Sequence, residues 1–338
     1  MIKDYISKIV DCNDLSFEEA RELMNEITSG TATNAQIAAV MVALRMKGET
    51  AEEIAGLASV MKEKSNKISP EVEGRLTDTC GTGGAKLKTF NISTAVAFVV
   101  AGIGIPVAKH GNRSFTSTCG SADVLEALGA NINLKQEQVE NIIEKIGIGF
   151  LFSPVFHPSM KYASEPRKEI GIRTVFNMLG PLTNPADAKA QILGVFSEDL
   201  VLKMASALRY LGIEKALVVF GECGLDELST LGKTIVAEVD NDKIKSYELN
   251  PEDFGFKRAK PEDIAGTDPK KSSEIVRNVL RGQKGPMRDI VLLNAGAAIY
   301  VSGKAKSIKE GIEFAKKSID GGKAYKKLDE FIEATKLE

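Results

Sequence analysis

Three glycines fall within four positions of DTCGTGGAKLKTFN, Asp78 to Asn91, between a short run that reads as a strand and one that reads as a helix. A turn that bare, closing a strand and opening a helix near Asn91, points to an α/β unit in which backbone N–H groups and the positive end of a helix dipole meet at one spot. Such a spot suits an anion. It fits neither common phosphate template: five positions after Gly81 stands Lys86 instead of the second glycine of GxxxxGK[ST], and GxGxxG fails because Ala85 and Lys86 follow Gly84. A glycine turn also serves as a tight turn and nothing more, so its neighbours decide its meaning.

The chain has 338 residues, more than one small core needs and about right for two domains. Apolar residues make up 43% and charged residues 27%, a globular balance, with no apolar run long enough to cross a bilayer. The N-terminal MIKDYISKIVDCND mixes acids and bases and lacks an export pattern, so the expected compartment is the cytoplasm. Cys12, Cys80, Cys119 and Cys223 form no CxxC, and two histidines give no metal-knuckle spacing; reduced thiols are expected. With a formal net charge of -2 and opposite charges interspersed, no global positive field exists to hold a nucleic-acid backbone. Any anion site is therefore local.

Three S/T-x-x-E/Q boxes punctuate the first 70 residues: Ser16 with Glu19, Thr33 with Gln36, and Thr50 with Glu53. In each, side chain and backbone satisfy one another's free donors, which marks a helix start. Between them Ile37, Val40, Met41 and Leu44 form one apolar stripe, and Ile54, Leu57, Val60 and Met61 another. The spacing predicts a small helical bundle, either packed on itself or, as a bundle this small requires, also resting on another subunit.

From Arg75 the texture changes. RLTDTC, IPVAK (Ile105 to Lys109), ILGVF (Ile192 to Phe196) and ALVVFG (Ala216 to Gly221) are short apolar runs separated by helical stretches, as in a buried, mostly parallel sheet with crossover helices. TIVAEVDNDKIKSYEL, Thr234 to Leu249, alternates on both sides of Asn241-Asp242 and predicts an edge hairpin. The expected fold is α/β: a small N-terminal helical domain over 1–70, with a returning segment near 160–187, and a larger α/β domain over 71–338 with a mostly parallel central sheet and flanking helices.

Two further stretches give the glycine turn its meaning. KHGNRS, Lys109 to Ser114, gathers an ammonium, an imidazole, an amide, a guanidinium and a hydroxyl at the C-terminal end of a predicted strand, where open α/β sheets bind ligands. GECGLDELST places Asp226 and Glu227 directly after the strand ALVVFG. Adjacent carboxylates there suit Mg²⁺, which takes few protein ligands plus phosphates. Together the three stretches suggest a site for a magnesium diphosphate.

GTGG with TFNISTA, then AKHGNRS, GSADVLEALG, HPSMKYASEPRKEIGIRTVFNMLGPLTNP and the Asp-Glu pair resemble the anthranilate phosphoribosyltransferases of tryptophan biosynthesis, a resemblance that runs through nearly the whole chain to YELNPEDFGF. The resemblance implies a nucleoside phosphorylase-like phosphoribosyltransferase fold, a homodimer through the helical domain, and an active site between the domains. The implied reaction joins anthranilate to 5-phosphoribosyl-1-diphosphate (PRPP) with release of pyrophosphate. For PRPP it implies Gly81, Gly84, Ala85, Thr89, Asn91, Ile92, Ser93 and Thr94, with Lys109, His110, Gly111, Asn112, Arg113, Ser114, Ser117 and Ser121 as the second wall. For anthranilate it implies Asn112 and Arg167, with Gly81, His110, His157 and Gly180 nearby, and for Mg²⁺ Ser93, Asp226 and Glu227. The histidines are expected to position the aromatic acid rather than move protons. Arg173 and the GPLTNP tract read as an ordinary salt bridge and a turn.

One departure stands out. The family commonly carries an acidic residue directly after GTGG, where this chain has Ala85 and then Lys86, which leaves the number of Mg²⁺ ions open. Lys86 and Lys88 are either diphosphate contacts or solvated lysines. Cys119 replaces a frequent serine. Two rivals remain: a pyrimidine nucleoside phosphorylase-like enzyme, for which a K-x-S-x-R pattern would stand in place of KHGNR, and a non-catalytic nucleic-acid-binding relative, which would be basic overall.

Overall fold

The computed structural model describes residues 1–114, 119–266 and 268–337. Four helices open the chain: α1 (Ile2–Val10), α2 (Phe17–Thr28), α3 (Asn34–Lys47) and α4 (Ala51–Glu63). Boxes read from the sequence stand at the N-termini of α2, α3 and α4. The Glu19 N–H donates to Ser16 Oγ and the Ser16 N–H to Glu19 Oε2, and the same reciprocal pairs join Thr33 with Gln36 and Thr50 with Glu53. Each such cap stabilises its helix by about 1 kcal/mol.

Among the described residues seven strands form one sheet: β1 (Thr77–Asp78), β2 (Val107–Gly111), β3 (Ile148–Phe152), β4 (Ala190–Gly194), β5 (Lys215–Gly221), β6 (Thr234–Asp240) and β7 (Lys243–Leu249), in spatial order β3-β2-β1-β4-β5-β6-β7. The first five pair in parallel, and β6 and β7 close the edge as the antiparallel hairpin expected around Asn241-Asp242. β1 is central, so the order reverses beside it and leaves a crevice at the carboxyl ends of β1 and β4, where open α/β sheets take ligands. The sequence reading passed over β3. IGFLF is buried on both faces and follows α7 (Gln136–Ile146, the seventh helix) across Gly147 alone, so its apolar run reads as an extension of the helix before it. Between these lie α5 (Ile92–Ala101) and α6 (Ser121–Leu128).

After β3 come α8 (Ser153–Phe156), α9 (Lys161–Ile170) and α10 (Phe176–Leu179), then α11 (Leu200–Tyr210) and the C-terminal helices α12 (Pro269–Leu280), α13 (Pro286–Val301), α14 (Ile308–Asp320) and α15 (Lys323–Leu337). The period-two alternation of the strands divides the apolar interior in two. Ile192, Leu217, Val219 and Val236 face a core shared with α5, α6, α7 and the C-terminal helices. Leu193, Ala216, Val218, Ala237 and Val239 face the other core, which joins α11, α1 to α4, and Ala163, Val175, Phe176, Met178, Leu179 and Leu182 of the returning segment. The stripes of α3 and α4 are thus covered within the chain, and every stripe residue named from the sequence is buried. No helix among the described residues is long and apolar enough to cross a membrane.

Candidate active site

A cleft of about 1210 Å³ lies across the carboxyl ends of β1, β2, β4 and β5, closed on its far side by Met61 of α4 and by the segment from His157 to Pro181. Its floor is the glycine turn. Gly83 and Gly84 have φ of +66° and +77°, a conformation that side chains resist, and Gly81 lies against β4, where an added Cβ would stand 3.1 Å from Gly194 O. The Thr82 N–H donates to Gly194 O at 2.8 Å and the Lys86 N–H to Gly224 O at 3.2 Å, so the turn is sewn to β4 and to the loop carrying the Asp-Glu pair. Gly194 must itself be bare: a Cβ there would come 1.6 Å from Asp226 O. Helix α5 starts at the turn's far end with no side-chain cap, because the N-cap Asn91 spends its amide elsewhere: its Nδ2 donates to Cys119 O and its Oδ1 accepts from Cys119 Sγ. Of that first turn, the Ile92 N–H donates to Phe90 O at 2.7 Å and the Ser93 N–H to the Glu227 carboxylate, which ties the helix start to the loop carrying the Asp-Glu pair.

Beneath the floor, buried Lys109 directs its ammonium at neutral oxygens: Thr79 O at 2.9 Å, Thr79 Oγ1 at 3.3 Å and Ser93 Oγ at 3.2 Å. Its counter-charge is Asp78, fully buried, whose carboxylate accepts from the His110 N–H and from Asn184 Nδ2. Burial pushes the Asp78 carboxyl up to about 6 against the pull of Lys109. The opposite wall carries Asp226 and Glu227. Burial raises the Asp226 carboxyl above its ordinary range, opposed by its own and the Gly83 N–H groups and by Arg173; burial and the Asp226 charge push Glu227 up to about 8, opposed by Lys109 and the Ser93 N–H. Asp226 and Glu227, the latter destabilised by the charge of the former, offer with the Ser93 hydroxyl of the same cleft hard oxygens that fit a divalent cation. Among the described residues no group of three His, Cys, Asp or Glu side chains is placed to hold a metal unaided, so water and ligand oxygens would complete the shell.

The histidines meet at the inner end, ring centroids 5.0 Å apart. His110 Nδ1 lies 3.0 Å from Gly180 O; a carbonyl only accepts, so Nδ1 carries the proton and Nε2 is a buried lone pair with no hydrogen-bond partner. Burial, and then the neighbouring His157, bring His110 down to about 3, and burial brings His157 down to about 4. Both are neutral imidazoles at pH 7. Unfolded imidazoles titrate near about 6.5, so burying these two contributes stability that is present above that pH and is lost as pH falls toward 4 and 3. Proton NMR checks this directly: with two histidines in the chain, neither Cε1–H resonance shifts between pH 8 and about pH 5 in the folded protein.

The cleft gathers Gly81, Gly84, Ala85, Thr89, Asn91, Ile92, Ser93, Lys109, His110, Gly111, Asn112, Arg113, Ser114, Ser121, His157, Arg167, Gly180, Asp226 and Glu227, residues spread over most of the sequence. Thr94 lies apart from them: one position past Ser93 on α5, it points into the core and is 1% exposed. Ser117 lies outside the described residues. Arg113 is at the rim with its guanidinium on Asp123 and Glu126, over the ring of Phe152. Of the two loop lysines, Lys88 lines the cleft, whereas the stem of Lys86 lies over Gly224. Arg167 is half-buried with its guanidinium 5.7 Å from the Phe176 ring, and burial lowers its pKa. Sequence reasoning missed Arg173, Phe176 and Asn177 as cleft residues. Gly171, left-handed at φ +65°, ends α9 and turns the chain so that Arg173 re-enters the cleft; the glycine was the available signal.

The chain matches two family profiles: the glycosyl transferase family helical bundle domain over residues 3–65 and the glycosyl transferase family a/b domain over residues 73–325. It is 55% identical over 335 residues to the anthranilate phosphoribosyltransferase of Acetivibrio thermocellus, covering 99% of this chain and 97% of that one. Among solved structures it is similar to anthranilate phosphoribosyltransferase from Thermus thermophilus, with a TM-score of 0.93 and 43% identity over 98% of this chain and 99% of that one. It is also similar to the Saccharomyces cerevisiae enzyme in complex with PRPP and Mg, with a TM-score of 0.91 and 29% identity over 100% and 98% of the two chains.

Proposed function

The chain belongs to the anthranilate phosphoribosyltransferase family, and from that premise we infer that it transfers the 5-phosphoribosyl group of PRPP to the amino group of anthranilate, giving N-(5'-phosphoribosyl)anthranilate and pyrophosphate in tryptophan biosynthesis. The observation that carries this reading is the meeting, in one cleft, of a bare backbone turn at a helix N-terminus with the adjacent carboxylates of Asp226 and Glu227, whose oxygens suit Mg²⁺.

The chemistry follows from charge. The amine nitrogen forms a bond to the anomeric carbon as the bond from that carbon to the diphosphate oxygen breaks; the nitrogen then gives its surplus proton to solvent. Positive charge grows on the ribose and negative charge on the diphosphate. We assign the phosphates and ribose of PRPP to the glycine turn from Gly81 to Ala85, to Thr89, Asn91, Ile92 and Ser93, and to the Lys109–Ser114 wall with Ser121. Asp226, Glu227 and Ser93 are assigned to Mg²⁺, which when bound neutralises the departing diphosphate. Lys109 donates to Ser93 Oγ and so fixes where that oxygen's remaining lone pair points. N–H donors already in place lower the barrier without reorganising during the reaction.

An aniline nitrogen is unprotonated at neutral pH and needs no general base, in keeping with two histidines held neutral by burial. Alignment is the remaining task. We assign the anthranilate carboxylate to Arg167, whose fork matches it, with Asn112, His110, His157, Gly81 and Gly180 around the ring. Residues 1–70 with the returning segment near 160–187 act as one domain and 71–338 as the other, and the subunit pairs with a second copy through the helical domain. Support for that pairing comes from Val10 and Met46, 63% and 82% exposed on α1 and α3 of that domain.

The test is the fluorescence of anthranilate mixed with the protein, PRPP and MgCl₂. The signal decays with all components present and holds when PRPP or magnesium is omitted. A steady signal in the complete mixture, followed by turnover of a nucleoside with inorganic phosphate, would replace this reading with the phosphorylase.

A further inference from the structure

Arg173 stands in the turn between α9 and α10, six positions after Arg167, where the sequence suggested an ordinary salt bridge. Its guanidinium is engaged otherwise. Nη2 donates to Gly84 O at 2.5 Å, the guanidinium lies 4.8 Å from the Phe196 ring centroid, and its charge favours the ionised form of Asp226. Arg173 is thus a contact from the acceptor's side of the cleft onto the floor of the diphosphate side.

We propose that Arg173 is a positioning residue for phosphoribosyl transfer: by holding the Gly84 carbonyl it fixes the direction of the Ala85 N–H, and so keeps the glycine turn set for the diphosphate of PRPP. The argument is geometric. In a trans peptide the carbonyl of Gly84 and the N–H of Ala85 point in opposite directions, so clamping one aims the other. A peptide that follows two left-handed glycines rotates easily when nothing holds it, and a donor that rotates is not organised for an anion. A side chain at Gly84 would stand 3.3 Å from the guanidinium carbon, so clamp and bare turn fit one another. An arginine suits the place because its plane can rest on Phe196 while its edge donates; a lysine donates without the stacking.

The inference rests on the transferase reading above, and its test keeps the two separable. Arg173→Ala raises KM for PRPP by about 10- to 100-fold at saturating magnesium, leaves KM for anthranilate within about threefold, and leaves the melting temperature unchanged. Arg173→Lys recovers part of the loss, and methylguanidinium added to Arg173→Ala restores part of the rate. Calorimetric titration of each variant with Mg-PRPP gives the same ranking without turnover. An unchanged KM for PRPP, or an equal rise in both KM values with a fall in melting temperature, overturns the proposal. If the wild type turns over and Arg173→Ala matches it, this proposal alone fails; if the wild type shows no transfer, the reading beneath it fails too.

Discussion

Replacing Asp226 with asparagine and Glu227 with glutamine together lowers kcat/KM for PRPP by about 1,000-fold at saturating magnesium, because the carboxylates assigned to the cation are gone and the diphosphate departs without its neutralising charge. The double variant also becomes more stable than the wild type in metal-free buffer. Glu227 has a folded pKa of about 8, above the ordinary carboxylate value. A group with a raised folded pKa contributes stability below its unfolded pKa and loses it as pH rises through the folded one. At about pH 9 the wild type therefore carries a buried carboxylate couple that the variant lacks, and it is the less stable of the two. Magnesium closes that gap for the wild type and does nothing for the variant. Urea melts at pH 6 and pH 9, with and without MgCl₂, check both signs. Equal stability under all conditions would mean that the couple does not await a cation.

Replacing Arg167 with alanine lowers kcat/KM for anthranilate by a factor corresponding to about 2 to 4 kcal/mol, with KM for PRPP nearly unchanged. The half-buried guanidinium lies beside Phe176, so desolvation strengthens its pull on a planar carboxylate, and an aromatic ring is at hand for the acceptor's own. Arg167→Lys recovers only part of the loss, since an ammonium cannot grip two oxygens in one plane. A neutral analogue with a carboxamide in place of the carboxylate identifies the partner: the wild type discriminates against it strongly and Arg167→Ala barely does. If the variant loses as much on the amide as on the acid, Arg167 serves the fold and not the carboxylate.

The elements legible in the sequence are those fixed by local chemistry. The boxes at Ser16, Thr33 and Thr50 are short-range hydrogen-bond exchanges, and each stands at a helix start. The hairpin around Asn241-Asp242 declares itself because a tight turn and alternation leave little choice of register. β3 stayed hidden because IGFLF follows α7 across Gly147 alone, so its apolar run reads on from the helix before it. The site divides along the same line. The glycine turn, KHGNRS and the Asp-Glu pair lie next to strand ends and could be read as they stand. Arg173 could not, since its partners Gly84, Phe196 and Asp226 are brought to it only by the return of the chain across the cleft. Thr94 shows the converse case. A motif carries its whole run of residues, but helix α5 turns that side chain into the core while Ser93 faces the cleft.

The central claim is a displacement in which anthranilate and PRPP react together on one site. Phosphorus NMR of PRPP with the protein and MgCl₂ tests it most directly. The diphosphate resonances of PRPP are expected to persist until anthranilate is added, and then to convert to pyrophosphate in equal amount to the anthranilate consumed. Pyrophosphate released at the same rate without anthranilate, or none released with it, would contradict the account.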